Sequence, residues 1–168
     1  MMEIKSGNYR IVIIIGHLAI KFPVIHLRSG IKSLIHEIKR GRFLKYYKND
    51  ILYWGCSKSY LFDGIICNWQ EYRFYRQTKL AILMPTYFSF FGLFNIQKRG
   101  QILDIYDGDL FSQLYNLTNG EIFDDGHAFG NHKNFCIESG KLVMIDYCKN
   151  TRNVLKKYGE KIQQEFDP

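Results

Sequence analysis

Proline is scarce in this chain, with three in 168 residues, and cysteine is limited to four. Cys56, Cys67, Cys136 and Cys148 form no C-x-x-C pair. The spacing of a zinc ribbon or a redox dithiol is therefore missing, and the expectation is a reduced thiol set in a cytoplasmic protein. No signal peptide is evident, because Ile11 to Ile15 is short and Glu3 and Lys5 precede it. A membrane span is not expected either. The run from Leu80 to Ile96 comes nearest, but Pro85, Thr86, Ser89, Gly92 and Asn95 interrupt it, and it reads as buried strands. Acids are also in short supply: 16 Asp and Glu face 23 Lys and Arg, a net charge of +7. That balance favours anionic partners such as a nucleotide, nucleic acid, an acidic protein or a lipid surface.

Hydrophobic residues make up 46% of the chain and aromatics 16%, which suits one compact domain over residues 1–168. Charge is distributed unevenly. Residues 28–48 carry seven Lys or Arg against the single acid Glu37, whereas residues 101–125 carry six acids and no Lys or Arg.

The pattern reads as α+β. Met1 to Lys5, Tyr9 to Ile15 and Leu18 to Pro23 are strand candidates separated by Ser6-Gly7-Asn8 and Gly16-His17. Residues 26–50 read as a basic amphipathic helix, with Ile31, Leu34, Ile35, Ile38 and Tyr47 on one stripe and Lys32, Lys39, Arg40 and Arg42 off it. Gly41 weakens its middle. A solvated charged face, a patch for nucleic acid or an acidic partner, and a membrane-surface helix all remain open. Asp63-Gly64 leads into a second helix ending at Thr78, with Asn68, Glu71 and Tyr75 on one face. Ala81 to Phe91 and Leu93 to Gln97 read as two strands, the first broken at Met84-Pro85-Thr86. Lys98-Arg99-Gly100 then closes an N-terminal half as a hinge. Helices follow at Asp109 to Leu117 and Asn150 to Phe166.

The densest chemistry lies in Asp124 to Cys148, DDGHAFGNHKNFCIESGKLVMIDYC. Glu138-Ser139-Gly140-Lys141 reads as a hairpin turn between two apolar runs. The second run has almost no polar face, so Asp146 sits at the end of a buried strand. An acid there is costly unless it is paired or holds a cation. His127 and His132 beside Asp124 and Asp125 also admit a transition-metal site, and Asp124-Asp125-Gly126 is good turn chemistry by itself.

Asn134-Phe135 followed by Gly140-Lys141-Leu142-Val143-Met144-Ile145-Asp146-Tyr147 resembles the segment from catalytic loop to metal-binding Asp in the protein kinase and aminoglycoside phosphotransferase superfamily. The nearest likeness is to its small bacterial and phage members, and the pattern is roughly H-x-D-x-x-x-x-N, a hairpin, then D-[FY]-G. His127, Asn134 and Asp146 match; Phe129 stands at the catalytic Asp, and Cys148 at the Gly after Asp146-Tyr147. Leu18-Ala19-Ile20-Lys21 resembles the V-A-I-K lysine strand, and Asn68-x-x-Glu71 the helix whose Glu pairs with that lysine. Taken singly, Lys21 is a surface residue of an edge strand and Glu71 an ion-pair partner of Arg73 or Arg76. Glu37 is a rival partner for Lys21.

The resemblance implies a minimal kinase-like α+β fold. Residues 1–100 form an N-lobe, an antiparallel sheet with a packed helix and an insertion at 26–50; residues 101–168 form a reduced C-lobe. It further implies ATP and Mg2+, with Lys21 and Glu71 serving the nucleotide and Asn134 and Asp146 the metal. Asp125 and His127 are the candidates for a rearranged base. The phosphate loop is nearly missing, since only Ser6-Gly7-Asn8 separates the first two strands. The resulting expectation is a degenerate kinase-like protein of bacterial or phage origin that acts mainly through a protein partner. An active small phosphotransferase, and a nucleic-acid-binding module using residues 28–48, are the alternatives.

Overall fold

The computed structural model describes residues 2–7, 9–45, 61–122, 126–147 and 151–166, with the backbone alone for Lys45, Gly126 and His127. The described residues are α+β and divide into two compact units. One unit comprises residues 1–72 and 87–97; the other comprises 73–86 and 98–168. Residues 73–86, expected in the N-terminal half, belong with the second.

The first unit carries β1 (Met2–Ser6), β2 (Arg10–Ile15) and β3 (Leu18–Pro23), then helix α1 (Leu27–Lys39), a helical turn Phe43–Lys45, and helix α2, which begins at Asp63 and runs to Thr78. Its sheet, completed by β4 (Thr86–Ser89) and β5 (Asn95–Lys98), has the order β1-β2-β3-β5-β4. β1, β2 and β3 pair antiparallel, with Ile4 opposite Ile13, Ile13 opposite Ile20, and Val12 opposite Lys21. Because side chains alternate along a strand, Ile4, Ile13 and Ile20 share one face, and Val12 and Lys21 the other. Lys21 is thus buried on a central strand, not on an edge.

Two expectations need correction here. The basic helix stops at Lys39, with Arg40 closing it and Gly41 at φ +66°, so Gly41 ends the helix rather than weakening its middle. Tyr47 and Lys48 lie outside the described residues. The strand expected from Ala81 begins only at Thr86, because Pro85 has no N–H to give a ladder. Leu83 instead bridges Met144, whose carbonyl accepts from the Met84 N–H at 2.9 Å. Among the described residues no helix is long and apolar enough to cross a membrane.

The second unit holds β6 (Gln101–Ile102), helix α3 (Asp107–Leu117), a helical turn Gly126–Phe129, a 3-10 turn His132–Asn134, the hairpin β7 (Phe135–Glu138) and β8 (Lys141–Met144), and helix α4 (Arg152–Glu165). β6, β7 and β8 form a three-stranded antiparallel sheet. Its core is hydrocarbon: Leu110 and Leu114 of α3, Leu155 and Ile162 of α4, and Phe135, Leu142 and Met144 of the hairpin are all 2% exposed or less. Every member of the stripe Val154, Leu155, Tyr158, Ile162 and Phe166 is buried, as its helical spacing predicts.

Cys136 is a free, buried thiol, but Cys67 is disulfide-bonded. The expected uniformly reduced set is therefore wrong for Cys67. Motif spacing detects local pairs and cannot detect a bond between cysteines brought together by folding.

Candidate functional site

Two groups of side chains hold four of the predicted residues, Lys21 and Glu71 in one unit and Asn134 and Asp146 in the other.

In the first unit, β3 delivers Lys21 and α2 delivers Glu71 to the same buried place. Lys21 Nζ donates to Glu71 Oε1 at 2.9 Å, and Glu71 is fully buried. The rival Glu37 is bonded to Arg42 instead, at 3.1 Å from Nε and 3.2 Å from Nη2. Neither Arg73 nor Arg76 can serve a carboxylate that points inward; both are exposed. A second cation converges on Glu71: the Arg10 guanidinium, from the start of β2, bonds Oε2. Sequence reasoning missed Arg10. Its only signal was its position two residues before Val12, which pairs with Lys21 across the β2–β3 ladder.

Asn68 explains the Asn-x-x-Glu spacing physically. One turn before Glu71, its Nδ2 donates to the Lys21 carbonyl at 3.2 Å and to the Gly92 carbonyl at 3.1 Å. The amide therefore ties the helix to the lysine strand and to the turn after β4, and Asn95 Nδ2 returns a bond to the Asn68 carbonyl at 2.8 Å. Gly92 is required at this point. Its φ is +80°, and a Cβ built there would lie 2.2 Å from the Ile65 carbonyl oxygen. The short turn ahead of β2 has little to offer a phosphate. The Gly7 N–H is already spent on the Arg10 carbonyl at 2.8 Å, and Asn8 lies outside the described residues.

In the second unit, the hairpin brings Asn134 and Asp146 together across twelve residues of chain. Ser139 and Gly140 both take positive φ, +52° and +75°, the mirror-image turn whose twist suits a two-residue hairpin. The carbonyl of Asn134 accepts the N–H of Ile145 at 2.8 Å and that of Asp146 at 3.4 Å. The Asn134 side chain donates through Nδ2 to the Ala128 carbonyl at 2.9 Å, leaving Oδ1 as the atom of that amide a cation would use. Tyr147, 1% exposed, anchors the segment after Asp146. Its hydroxyl donates to the Met84 carbonyl at 3.2 Å and shares a hydrogen bond with Thr86 Oγ1 at 2.9 Å.

Asp146 itself is half-buried, beyond the last residue of β8. The expected standing cost of a buried, uncompensated acid therefore does not arise. Magnesium usually binds proteins through one or two carboxylates and takes its remaining ligands from water and substrate phosphates. One carboxylate and one amide oxygen fit such an ion delivered with a nucleotide. They do not fit a free-standing metal centre, and among the described residues no cluster of three or more His, Cys, Asp or Glu exists.

Phe129, which the sequence resemblance aligns with a catalytic acid, is fully buried and packs its ring 6.4 Å from that of Phe135. Phe129 is thus part of the hydrocarbon core. Asp125 lies outside the described residues, and His127 is placed by its backbone only, in the turn Gly126–Phe129. His132 is engaged elsewhere. Asp107 Oδ1 takes both its backbone N–H, at 2.8 Å, and its Nδ1, at 2.7 Å. Those two hydrogen bonds, the backbone one first, hold the Asp107 carboxyl below its ordinary pKa. This pair joins the start of α3 to the 3-10 turn before Asn134. Sequence reasoning missed it too, because 25 residues separate its members. No family model, no curated protein and no solved structure matches the chain.

Proposed function

We propose that the chain is a degenerate kinase-like protein. In this reading it binds a nucleotide with magnesium weakly, transfers phosphoryl groups little or not at all, and acts mainly through a protein partner. The observation that carries the reading is the buried Lys21–Glu71 pair, made by a strand and a helix 50 residues apart in sequence. Burying such a pair is expensive unless geometry and further hydrogen bonds support it, and Asn68 and Arg10 supply that support. An amine held rigidly in this way is suited to a phosphate oxygen. The Asn134 and Asp146 oxygens would hold the magnesium, whose contribution when bound is to neutralise phosphate charge.

Three features favour a degenerate site. The turn ahead of β2 spends its Gly7 amide internally. Phe129 fills the base position with a core ring. Tyr147 is locked by Thr86 and Met84, which immobilises the chain after Asp146.

The test is thermal stability and ATP consumption of the wild type and Asp146→Asn. The expected result is a magnesium-dependent rise in Tm with ATP that is lost in Asp146→Asn, with no ATP turnover in either protein. Turnover that needs magnesium and vanishes in Asp146→Asn would instead make the chain an active phosphotransferase. No response of Tm to ATP would remove nucleotide binding from the reading.

A further inference from the structure

The helix α1 is amphipathic the wrong way round for a globular domain. Its buried residue is Gly30, where an added Cβ would meet the Leu61 backbone at 3.0 Å, and Ser33 and Glu37 lie on the same flank, half-buried. Four aliphatic side chains look outward instead: Leu27 is 60% exposed, Ile31 45%, Ile35 48% and Ile38 54%, while Leu34, at the inner edge of the stripe, is half-buried. At 100° per residue these four side chains span an arc of about 80°, and Arg28, Lys32 and Lys39 follow directly on its edge. Exposed Phe43 and Leu44 continue the apolar surface beyond Arg40 and Arg42, which are exposed as well. The one acid of the segment, Glu37, is turned to the inner flank and bonded to Arg42. The outward sector of the helix thus holds aliphatic side chains and cations and no carboxylate.

We propose that α1 docks the protein on an anionic lipid bilayer surface. Leu27, Ile31, Ile35 and Ile38 enter the boundary between headgroups and acyl chains, and Arg28, Lys32 and Lys39 reach lipid phosphates and carboxylates. The charge pattern selects this occupant. A nucleic acid would meet the cations but leave the aliphatic stripe in water, whereas a bilayer interface takes both halves of the sector together. Long basic side chains at the edge of such a stripe lay their methylenes along the apolar region and keep their charged ends among the headgroups. No membrane-crossing helix is needed for this mode of attachment. The proposal is independent of any nucleotide chemistry.

The experiment uses the full chain with vesicles of phosphatidylcholine alone and of phosphatidylcholine mixed with phosphatidylserine. Co-sedimentation is expected with the mixed vesicles and weak or undetectable with the neutral ones. Charge reversal at Arg28, Lys32 and Lys39 together should weaken it by more than about 100-fold, since each cation near an anionic surface is worth about fivefold. Ile31→Ser with Ile35→Ser should also abolish it while leaving Tm unchanged, because both side chains are exposed. Ile35→Ser alone serves the same purpose if the double variant unfolds. In Ile35→Trp, the new indole should shift its emission to the blue on mixed vesicles and be quenched by brominated acyl chains.

Absence of vesicle binding by the wild type would overturn the proposal. So would binding that survives the Ile→Ser changes, which would reduce the contact to charge alone. Random-sequence RNA bound by the wild type and by the Ile→Ser variant, without vesicle binding, would assign the helix to nucleic acid instead. A dimer that dissociates in the Ile→Ser variant, again without vesicle binding, would assign the stripe to a protein contact.

Discussion

The two units are built on opposite principles. Among the described residues, nearly all the buried hydrophobic side chains belong to the second unit, and Ile14 and Ala19 are the exceptions. The first unit buries Lys21, Asp63, Asn68, Glu71, Asn95 and Gln97, and exposes Ile4, Ile15, Phe22, Ile31, Phe88 and Phe91 among others. One unit is held by hydrocarbon packing, the other by a charged and hydrogen-bonded network with apolar surface left over. Burying apolar area is stabilising wherever it occurs, whereas a buried ion cluster stabilises only while every partner is present. The first unit therefore puts its buried polar groups under a geometric demand that the second does not face. Such a demand is worth bearing where the polar groups have work to do.

Substitutions that exchange one principle for the other test this contrast. Phe129→Asp, which places an acid where the proposed kinase-like reading expects one, should have the largest effect. Removing the ring alone is expected to cost about 3–5 kcal/mol, and a carboxylate in its place adds the cost of a buried, unpaired charge. The variant should lose its cooperative thermal transition and gain no phosphoryl transfer. A folded Phe129→Asp protein with magnesium-dependent ATP turnover would show that the loop remodels freely. Glu71→Ala comes next, at about 3–5 kcal/mol, because it removes the buried carboxylate that Lys21 and Arg10 share. Hydrogen exchange should locate the loss in β1, β2 and β3, with the hairpin of Asn134 and Asp146 retaining its protection. Equal loss of protection in both units would mean that they unfold together.

Gly92→Ala should cost less, about 1–3 kcal/mol, because the new methyl group must displace the Ile65 carbonyl. It should also lower the affinity for any ligand of Lys21, since Asn68 is bonded to both the Gly92 and Lys21 carbonyls. The smallest effect is expected at Asp107, and only in acid. Its folded-state pKa is lowered by the hydrogen bonds from His132, so its contribution is fully present above the ordinary value of 3.8 and is lost as pH falls through the folded value. Asp107→Asn should thus flatten the acid limb of the Tm–pH curve below about pH 4 and leave the neutral region almost unchanged. Curves of the same shape for both proteins would show that the pair contributes nothing to acid stability.

Local pattern made much of this protein legible. The β-branched runs of β2 and β3, the stripe of α4 and the Ser139-Gly140 turn follow from short-range periodicity and turn chemistry, which act over a few residues and can be read directly. The α+β class was also accessible; Glu71 was favoured as the partner of Lys21 by the resemblance and by the element that follows it closely, with Glu37 left as a rival that only the folded chain excluded. The boundary at Thr86 was missed because Ala81 to Met84 is apolar enough for a strand yet belongs to the other unit, and only its partner Met144 reveals that.

Tertiary structure alone decided the remainder. It brought Arg10 to Glu71 across 61 residues and Asp107 to His132 across 25. It placed Phe129 in the core and Asp146 only half inside it. It also turned Leu27, Ile31, Ile35 and Ile38 of α1 outward, against the usual meaning of amphipathic spacing, and left only Leu34 of the stripe half-buried. A hydrophobic period states that one side of a helix differs from the other; which side meets the protein is set by what packs there, and at α1 the close approach of Leu61 to Gly30 takes that place. Sequence determines each element and its faces because those depend on neighbours three or four residues away. The assignment of faces to core, partner or solvent depends on contacts between residues far apart in the chain, and those exist only once it has folded.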